Sequence, residues 1–140
     1  MAILKNTPIG INLPIKNGNI SGYFDQSIDS FTAYRMNIIN LISTKPGERR
    51  MNPTFGCSLW NIIFEPNDDF ISEKVSKAIT SDVSRWIPGI FVKSVNVKSS
   101  NNDISNNSND IYKLYIAVTF VVTSINQEDV VEIILDTNKI

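Results

Sequence analysis

The stretch TKPGERRMNPTFG, from Thr44 to Gly56, divides the chain and decides how the fold is organised. It contains two prolines, two glycines and three consecutive charged residues, a composition that suits neither a helix nor a regular strand. Strongly apolar sequence lies on both sides of it. The stretch is therefore predicted to be a loop that connects two buried elements.

Two interpretations of this loop involve no chemistry. In the structural one, Pro46-Gly47 forms a tight turn and Phe55 anchors the loop on the body of the protein. The carboxylate of Glu48 then pairs with Arg49 or Arg50. In the interaction one, the same two arginines, held between stiff turns, present guanidinium groups to the carboxylates or backbone of a partner.

A catalytic interpretation also has to be considered. It requires Glu48 or Glu65 as a general acid, with a second carboxylate at about 5 to 9.5 Å, as in glycoside hydrolysis. Asp68, Asp69 and Glu73 are the candidates for the second carboxylate. Nothing in the spacing demands such a pair, because acidic residues near a helix start usually cap the helix.

Composition narrows the function classes. The 140 residues, 42% of them hydrophobic, suffice for one domain with its own core. A net charge of -1 gives no field that favours nucleic acid or an anionic membrane. No apolar run reaches the roughly 18 residues that span a bilayer, and the first residues lack the apolar core of a secretion signal. We expect a soluble, unexported, single-domain protein.

Residues that usually carry catalysis or bind metals are scarce. The chain has no histidine, which removes the commonest general base and the commonest metal ligand. Its one cysteine, Cys57, cannot form an internal disulfide. No phosphate-binding glycine loop or dinucleotide fingerprint is present. The sequence therefore predicts neither a metal nor a cofactor.

The part of the chain before the loop is predicted to be a leader and a helix. Residues 1–26 form an extended leader, part of which is expected to lie as a strand on the body, because apolar residues alternate at Ile9, Ile11, Leu13 and Ile15. The helix runs from Ser27 to Ile42, with Asp25 or Ser27 as its cap. Its buried stripe is predicted to contain Ile28, Phe31, Tyr34, Ile38, Leu41 and Ile42. Residues 27–140 then form the single domain.

Two more helices are predicted after the loop. A short one covers 58–65, and a longer one begins at Asn67 or Asp68 and ends near Ile87. The longer helix buries a stripe that consists of Ile71, Val75, Ala78, Ile79, Val83 and Trp86.

The remainder of the chain changes to the period of a strand. Strands are predicted at 91–98, 111–123 and 130–136, with a long polar loop at 99–110. The inward residues are expected to be Phe91, Val95 and Val97 in the first strand, Tyr112, Leu114, Ile116, Val118, Phe120 and Val122 in the second, and Val131, Ile133 and Leu135 in the third. The fold class is α+β, with the N-terminal helices packed on one face of a three-stranded antiparallel C-terminal meander.

The last strand of this meander leaves an open edge. Glu132 and Asp136 on its outward face would guard that edge against aggregation. Alternatively, the edge is kept available for a strand of another chain. The pattern of residues leaves both interpretations open.

The loop and the segment SLWNIIFEP after it resemble the signature of the small baseplate-wedge proteins of contractile tails, the tail-sheath initiators of T-even-like phages. Relatives of that family occur in type VI secretion systems and other contractile injection machines. The resemblance covers roughly residues 27–136. The matching residues are Thr44, Gly47, Glu48, Arg49, Pro53, Phe55, Gly56, Leu59, Ile63, Phe64 and Glu65.

The resemblance implies a structural protein of the virion, located in the tail baseplate and made in the host cytoplasm. Members surround the tail tube in six copies, hold the core bundle of the wedge proteins and initiate the sheath by strand exchange. The partners implied are wedge core-bundle proteins, the tail sheath subunit and the tail tube, with no nucleic acid and no membrane. The alternatives are a lysozyme-like glycoside hydrolase of the baseplate and an adaptor of a bacterial injection system.

With the family in view, the last strand is expected to be a docking edge. The partner-binding residues predicted are Gly47, Glu48, Arg49, Arg50, Pro53, Phe55 and Gly56 in the loop, and Val130, Val131, Glu132, Ile133, Ile134 and Leu135 in the strand. One departure is that many members carry Glu-Pro-Arg where this chain has Ile87-Pro88-Gly89. The contact made by that charged pair is expected to shift here onto Arg85 or Arg50.

Overall fold

The computed structural model describes residues 7–18, 23–63, 71–99, 113–124 and 126–136. In chain order the elements are β1 (Gly10–Ile11), β2 (Gln26–Ser27), α1 (Ser30–Ser43), α2 (Leu59–Ile62), α3 (Ile71–Trp86), β3 (Ile90–Ser99), β4 (Lys113–Val122) and β5 (Gln127–Asp136). The predicted polar loop from residue 100 onward, the predicted start of the long helix and residues 64–65 of the short helix lie outside the described residues. No helix in the described part of the chain is long and apolar enough to cross a membrane.

The predicted α+β class is confirmed. Strands β3, β4 and β5 form an antiparallel sheet in that order, so β4 is central and each of the other two is an edge. Strands β1 and β2 form a separate two-stranded antiparallel pair in the leader region. The strand predicted in the leader is thus two residues long.

The start of α1 differs from the prediction. Asp29 is the N-cap, and its Oδ2 accepts a hydrogen bond from the Thr32 N–H at 3.2 Å. Ser27 instead lies in β2, where it pairs with Gly10, so neither it nor Asp25 caps the helix. Ile28 falls before the cap and is 52% exposed, and its predicted place in the buried stripe is therefore wrong.

The core lies between the helices and the inner face of the sheet. The fully or almost fully buried side chains of α1, α3 and β4 are Ile38, Leu41, Ile42, Val75, Ile79, Val83, Ile116, Val118, Phe120 and Val122. Burial of each large aliphatic or aromatic side chain contributes roughly 1.5–3 kcal/mol. Val131, Ile133 and Leu135 of β5 are also buried, so the inward faces predicted for β4 and β5 are confirmed in their described residues.

The inward face predicted for the first strand is wrong at Phe91. This side chain is 68% exposed, whereas its neighbour Val92 is buried. A register shift between Val92 and Ser94 inserts Lys93 as an extra residue against β4. The bulge reverses the alternation, so Val92 before it and Val95 after it both face inward.

Candidate functional site

The loop at 44–56 is closed by its own backbone. The Cys57 N–H donates to the Thr44 oxygen at 3.0 Å, which joins the two ends of the loop. Within it, the Gly47 N–H donates to the Pro53 oxygen at 2.8 Å. These bonds satisfy backbone groups that a less ordered loop would leave to water. The side chains of the loop are therefore held on a defined frame.

Two glycines of the loop have a positive φ, and one of them is required for the closure. Gly56 has a φ of 140°, and a Cβ built on it would lie 2.7 Å from the Pro46 nitrogen and 2.8 Å from the Thr44 oxygen. The conformation and the close backbone approach both require glycine at this position. Gly47 has a φ of 92°, but a Cβ there would meet open space. Gly56 is thus the residue on which the closed loop depends.

The residues after the loop attach it to α3. Asp82, a buried carboxylate of α3, accepts a hydrogen bond from the Ser58 N–H at 2.7 Å. Burial raises the pKa of the Cys57 thiol to about 12, and the charge of Asp82 also raises it. The Trp60 Nε1–H donates to the Ile42 oxygen at 2.9 Å, which ties α2 to the end of α1. Sequence reasoning missed Asp82, although an acidic residue inside the apolar stripe of a helix is a usable signal.

The charged side chains of the loop are arranged differently from the structural interpretation. Glu48 Oε2 accepts a hydrogen bond from the Lys45 N–H at 3.1 Å, and this bond stabilises the turn. Within the described residues it forms no ion pair with Arg49 or Arg50. The predicted anchor, Phe55, is half-buried and packs on the core as expected.

Phe55 and Trp86 form the centre of a row of stacked side chains, which we call the cationic row. Their ring centroids are 5.3 Å apart at an interplanar angle of 65°. The Arg49 guanidinium lies 4.0 Å from the Phe55 centroid, and the Arg85 guanidinium lies 5.2 Å from the Trp86 centroid. Arg49 and Arg85 are exposed, and so is Met51, two residues after Arg49 in the chain. The row therefore presents two positive charges, each held against an aromatic ring.

The second predicted surface is the outer edge of β5. Each residue of β5 has a partner on β4 across all ten positions, without a register shift. In an antiparallel ladder, alternate residues direct both backbone groups away from the neighbouring strand. The N–H and oxygen of Val130 contact side chains instead of β4. By alternation, the backbone groups of Glu132 and Ile134 also point away from β4.

An ion pair between α1 and β5 covers the first of these outward residues. Arg35 Nε lies 3.0 Å from Asp129 Oδ2, and its Nη2 donates to Asp129 Oδ1 at 3.2 Å and to the Val130 oxygen at 3.1 Å. The Val130 N–H donates to Asp129 Oδ1 at 2.8 Å. We call this arrangement the Arg35–Asp129 clasp. Sequence reasoning missed it, because no local pattern connects residues 94 positions apart.

An open groove of about 370 Å³ lies between α1 and the edge of β5. It is lined by Arg35, Met36 and Ile39 of α1 and by Val130, Val131 and Glu132 of β5. The side chains of Val131, Ile133 and Leu135 are buried in the core. Of the six predicted β5 residues, Val130, Glu132 and Ile134 direct their backbone groups away from β4, and the clasp occupies those of Val130.

The loop and the β5 edge are separate surfaces at different ends of α1. Arg35 lies in the first half of the helix, and the loop begins at Thr44, the C-cap. Thr44 is nine positions after Arg35, which corresponds to about 14 Å along the helix axis. A partner of ordinary size could touch both surfaces, but the two sets of residues do not form one pocket.

Comparisons with known proteins agree with this architecture. The family model of the baseplate wedge protein gp25 matches residues 34–127. The baseplate wedge protein gp25 of Enterobacteria phage T4 is 29% identical over 96 residues, which are 69% of this chain and 66% of the T4 protein. The alignment thus spans slightly less than two thirds of the length of that relative.

Two solved structures have a similar fold. A Geobacter sulfurreducens protein named as a candidate tail lysozyme has a TM-score of 0.64 and 20% identity, over 77% of this chain and 91% of its own. A chain of the baseplate of the anti-feeding prophage has a TM-score of 0.62 and 22% identity, over 79% of this chain and 82% of its own. At these identities the likeness concerns the fold alone. The family model, which covers most of the chain, confirms the resemblance seen in the loop, and the chain belongs to the family of the baseplate wedge protein gp25.

Proposed function

We propose that this protein is a structural component of a contractile-tail baseplate that initiates the sheath by accepting a strand of the sheath subunit on β5. Its membership of the gp25 family supports the location in the baseplate. The observation that carries the proposal is the outer edge of β5, which is regular over ten residues and has outward backbone groups at Glu132 and Ile134. Ladder hydrogen bonds at such an edge are directional and depend little on side-chain identity.

The other edge of the sheet is less suited to this role. β3 carries a bulge at Lys93, whose ammonium pairs with Glu128 of β5, and the exposed Lys98 also lies on this strand. Bulges and lysines are two devices by which proteins prevent edge pairing. β5 has no register shift, and its outward Ile134 is 60% exposed. The proposal therefore places the sheath strand on β5.

The cationic row and the neighbouring Arg50 are proposed to hold the core bundle of the wedge proteins. Arg49 and Arg85 are held against aromatic rings, so little side-chain entropy is lost when an acidic partner binds them. This surface would replace the contact that other members make through Glu-Pro-Arg. A position around the tail tube in six copies belongs to the same proposal.

We propose no catalytic role. The Glu48 carboxylate is engaged by the Lys45 N–H within its own turn, where it stabilises the loop. Of the other carboxylates that a glycoside hydrolase would require, Glu73 pairs with Lys77 on α3 at 2.7 Å. Glu65, Asp68 and Asp69 lie outside the described residues. The name of the Geobacter protein concerns that protein alone. An assay of peptidoglycan release with Glu48→Gln and Glu65→Gln variants would overturn this view if the unmodified protein had an activity that the variants lacked.

Replacement of Ile134 by proline tests the strand-addition proposal. Ile134 directs its N–H away from β4, so Ile134→Pro removes a donor for the added strand and no bond to β4. Baseplates that carry this variant are expected to lack sheath in electron micrographs, whereas Ile134→Ala baseplates should carry sheath of normal length. Normal sheath on Ile134→Pro baseplates would refute docking at this edge.

A further inference from the structure

We propose that the Arg35–Asp129 clasp sets the register of the strand that β5 accepts. This inference rests on the proposed function, because it assumes that β5 receives a strand. The clasp occupies both outward backbone groups of Val130, the N–H through Asp129 Oδ1 and the oxygen through Arg35 Nη2. An added strand therefore finds its first free donor and acceptor at Glu132.

An edge of this kind needs a feature that fixes the register of the added strand, which we call a register stop. Backbone ladder bonds form equally well when a strand shifts by two residues, since such a shift keeps the same side chains on the same face. The clasp removes one of the alternative positions. It combines a two-point guanidinium–carboxylate contact with two backbone hydrogen bonds. An incoming strand that displaced the clasp would have to break all four contacts.

The surroundings of the groove define the chemistry of the strand. On the side of α1, alternate side chains of the strand would meet Met36 and Ile39, which line the groove. These positions suit apolar residues. On the outer face, the neighbours are the exposed Glu132 and Ile134. A basic residue beside Glu132 would form a favourable cross-strand pair. The expected partner is an alternating apolar and basic strand.

Charge disfavours a second copy of this chain as the partner. The exposed residues of β5 include Glu128 and Glu132, and Asp129 lies between them. Antiparallel pairing of two β5 edges around Glu132 would place acidic side chains opposite one another, which is destabilising. A strand from a different protein, with the opposite charge, avoids this repulsion.

The test uses the full chain with a strand joined to its C-terminus. The linker is a Gly-Ser segment of about 12 residues, with an r.m.s. reach of roughly 20 Å. The joined strand has eight residues, alternately Val and Lys, and a second version alternates Val and Glu. Tethering of this kind gives an effective concentration on the order of millimolar, so modest affinity suffices. Amide hydrogen exchange at Val130, Glu132 and Ile134 is measured by NMR, with the unextended chain as reference.

In the native background, the Val-Lys strand should slow exchange at Glu132 and Ile134 at least tenfold and leave Val130 unchanged. In Asp129→Ala, the Val130 amide should exchange faster in the unextended chain and slow at least tenfold when the strand is joined. Glu128→Ala is the matched control, because it removes a neighbouring carboxylate and its exposed ion pair with Lys93 but leaves the clasp intact; it should behave like the native chain. The Val-Glu strand should give weaker protection.

Three results would count against the inference. The first is slower exchange at Val130 when the strand is joined to the native chain. The second is no gain of protection at Val130 in Asp129→Ala while Glu132 and Ile134 are protected. Either result would refute the clasp as a register stop but would leave strand addition unaffected. No protection at Glu132 and Ile134 in the native background would overturn strand addition as well. Asp129→Val, which suits a strand, is measured in parallel, and protection of the Val131 amide verifies in both variants that β5 is still paired with β4.

Discussion

The loop at 44–56 and the edge of β5 are both proposed to bind partners, but they are built in opposite ways. The loop holds particular side chains in place: Arg49 lies on Phe55, and Phe55 lies against Trp86. The edge offers backbone groups at Glu132 and Ile134, whatever side chains those residues carry. For stability, residue identity should therefore matter more in the loop than at Glu132 and Ile134, where backbone conformation decides whether a strand can pair.

The different construction also explains why the family signature falls in the loop. A loop in which Gly56 has a φ of 140°, and in which an added Cβ there would lie only 2.7 Å from a backbone atom, can be built by few sequences. An antiparallel edge strand can be built by many alternating sequences. A recognisable sequence pattern therefore marks the loop, whereas the edge of β5 has to be identified from the order of the strands in the sheet.

The largest effect is expected from Gly56→Ala. The new Cβ would lie under 3 Å from three backbone atoms at a φ that alanine rarely adopts, which should cost about 3 kcal/mol in the free energy of unfolding. Gly47→Ala is the matched control, because its Cβ would meet open space; strain at its φ of 92° should cost about 1 kcal/mol. Urea denaturation measures both. Equal losses in the two variants would show that the close approach at Gly56 does not matter.

The next effect is a pH dependence that originates where the loop joins the core. Burial holds the pKa of Cys57 at about 12, above its unfolded value of about 9. Between these values the folded state keeps a proton that the unfolded state loses, so stability is fully present below pH 9 and falls as the pH rises. The slope is about 1.4 kcal/mol per pH unit.

Urea denaturation from pH 8 to 10.5 measures this slope, and Cys57→Ala should lack the part of it that is due to the thiol. In the native state the thiol should also resist a disulfide reagent at pH 8 and react once urea unfolds the chain, because the buried thiol is protonated. A slope that is the same in Cys57→Ala would mean that other groups cause the alkaline loss.

Sequence patterns predicted the elements that repeat and missed the contacts that do not. The alternation at Ile116, Val118 and Phe120 identifies β4 and its buried face because each residue reports on the same face. In β3 the bulge at Lys93 shifts the alternation by one residue, and nothing in the sequence around Lys93 predicts the bulge. The inward position predicted for Phe91 failed for this reason.

The same limit applies to the two surfaces. The turn residues and arginines of the loop could be identified locally, because Pro46-Gly47 and Phe55 act within a few residues of one another. The clasp depends on the distance between α1 and the start of β5, which is a property of the packed fold. Arg35 and Asp129 are ordinary surface residues in the sequence, and only tertiary structure brings them together.

The smallest effect tests whether the loop depends on side-chain identity more than the edge does. Arg49→Lys keeps the charge but loses the planar group that lies 4.0 Å from the Phe55 centroid, so the free energy of unfolding should fall by about 0.5–1 kcal/mol. Glu132→Gln, an equally conservative change at an exposed position of β5, should leave it unchanged within about 0.3 kcal/mol. Urea denaturation gives both values, and the Phe55 ring resonances should shift only in Arg49→Lys. A loss in Glu132→Gln as large as that in Arg49→Lys would remove the distinction between a surface made of side chains and one made of backbone.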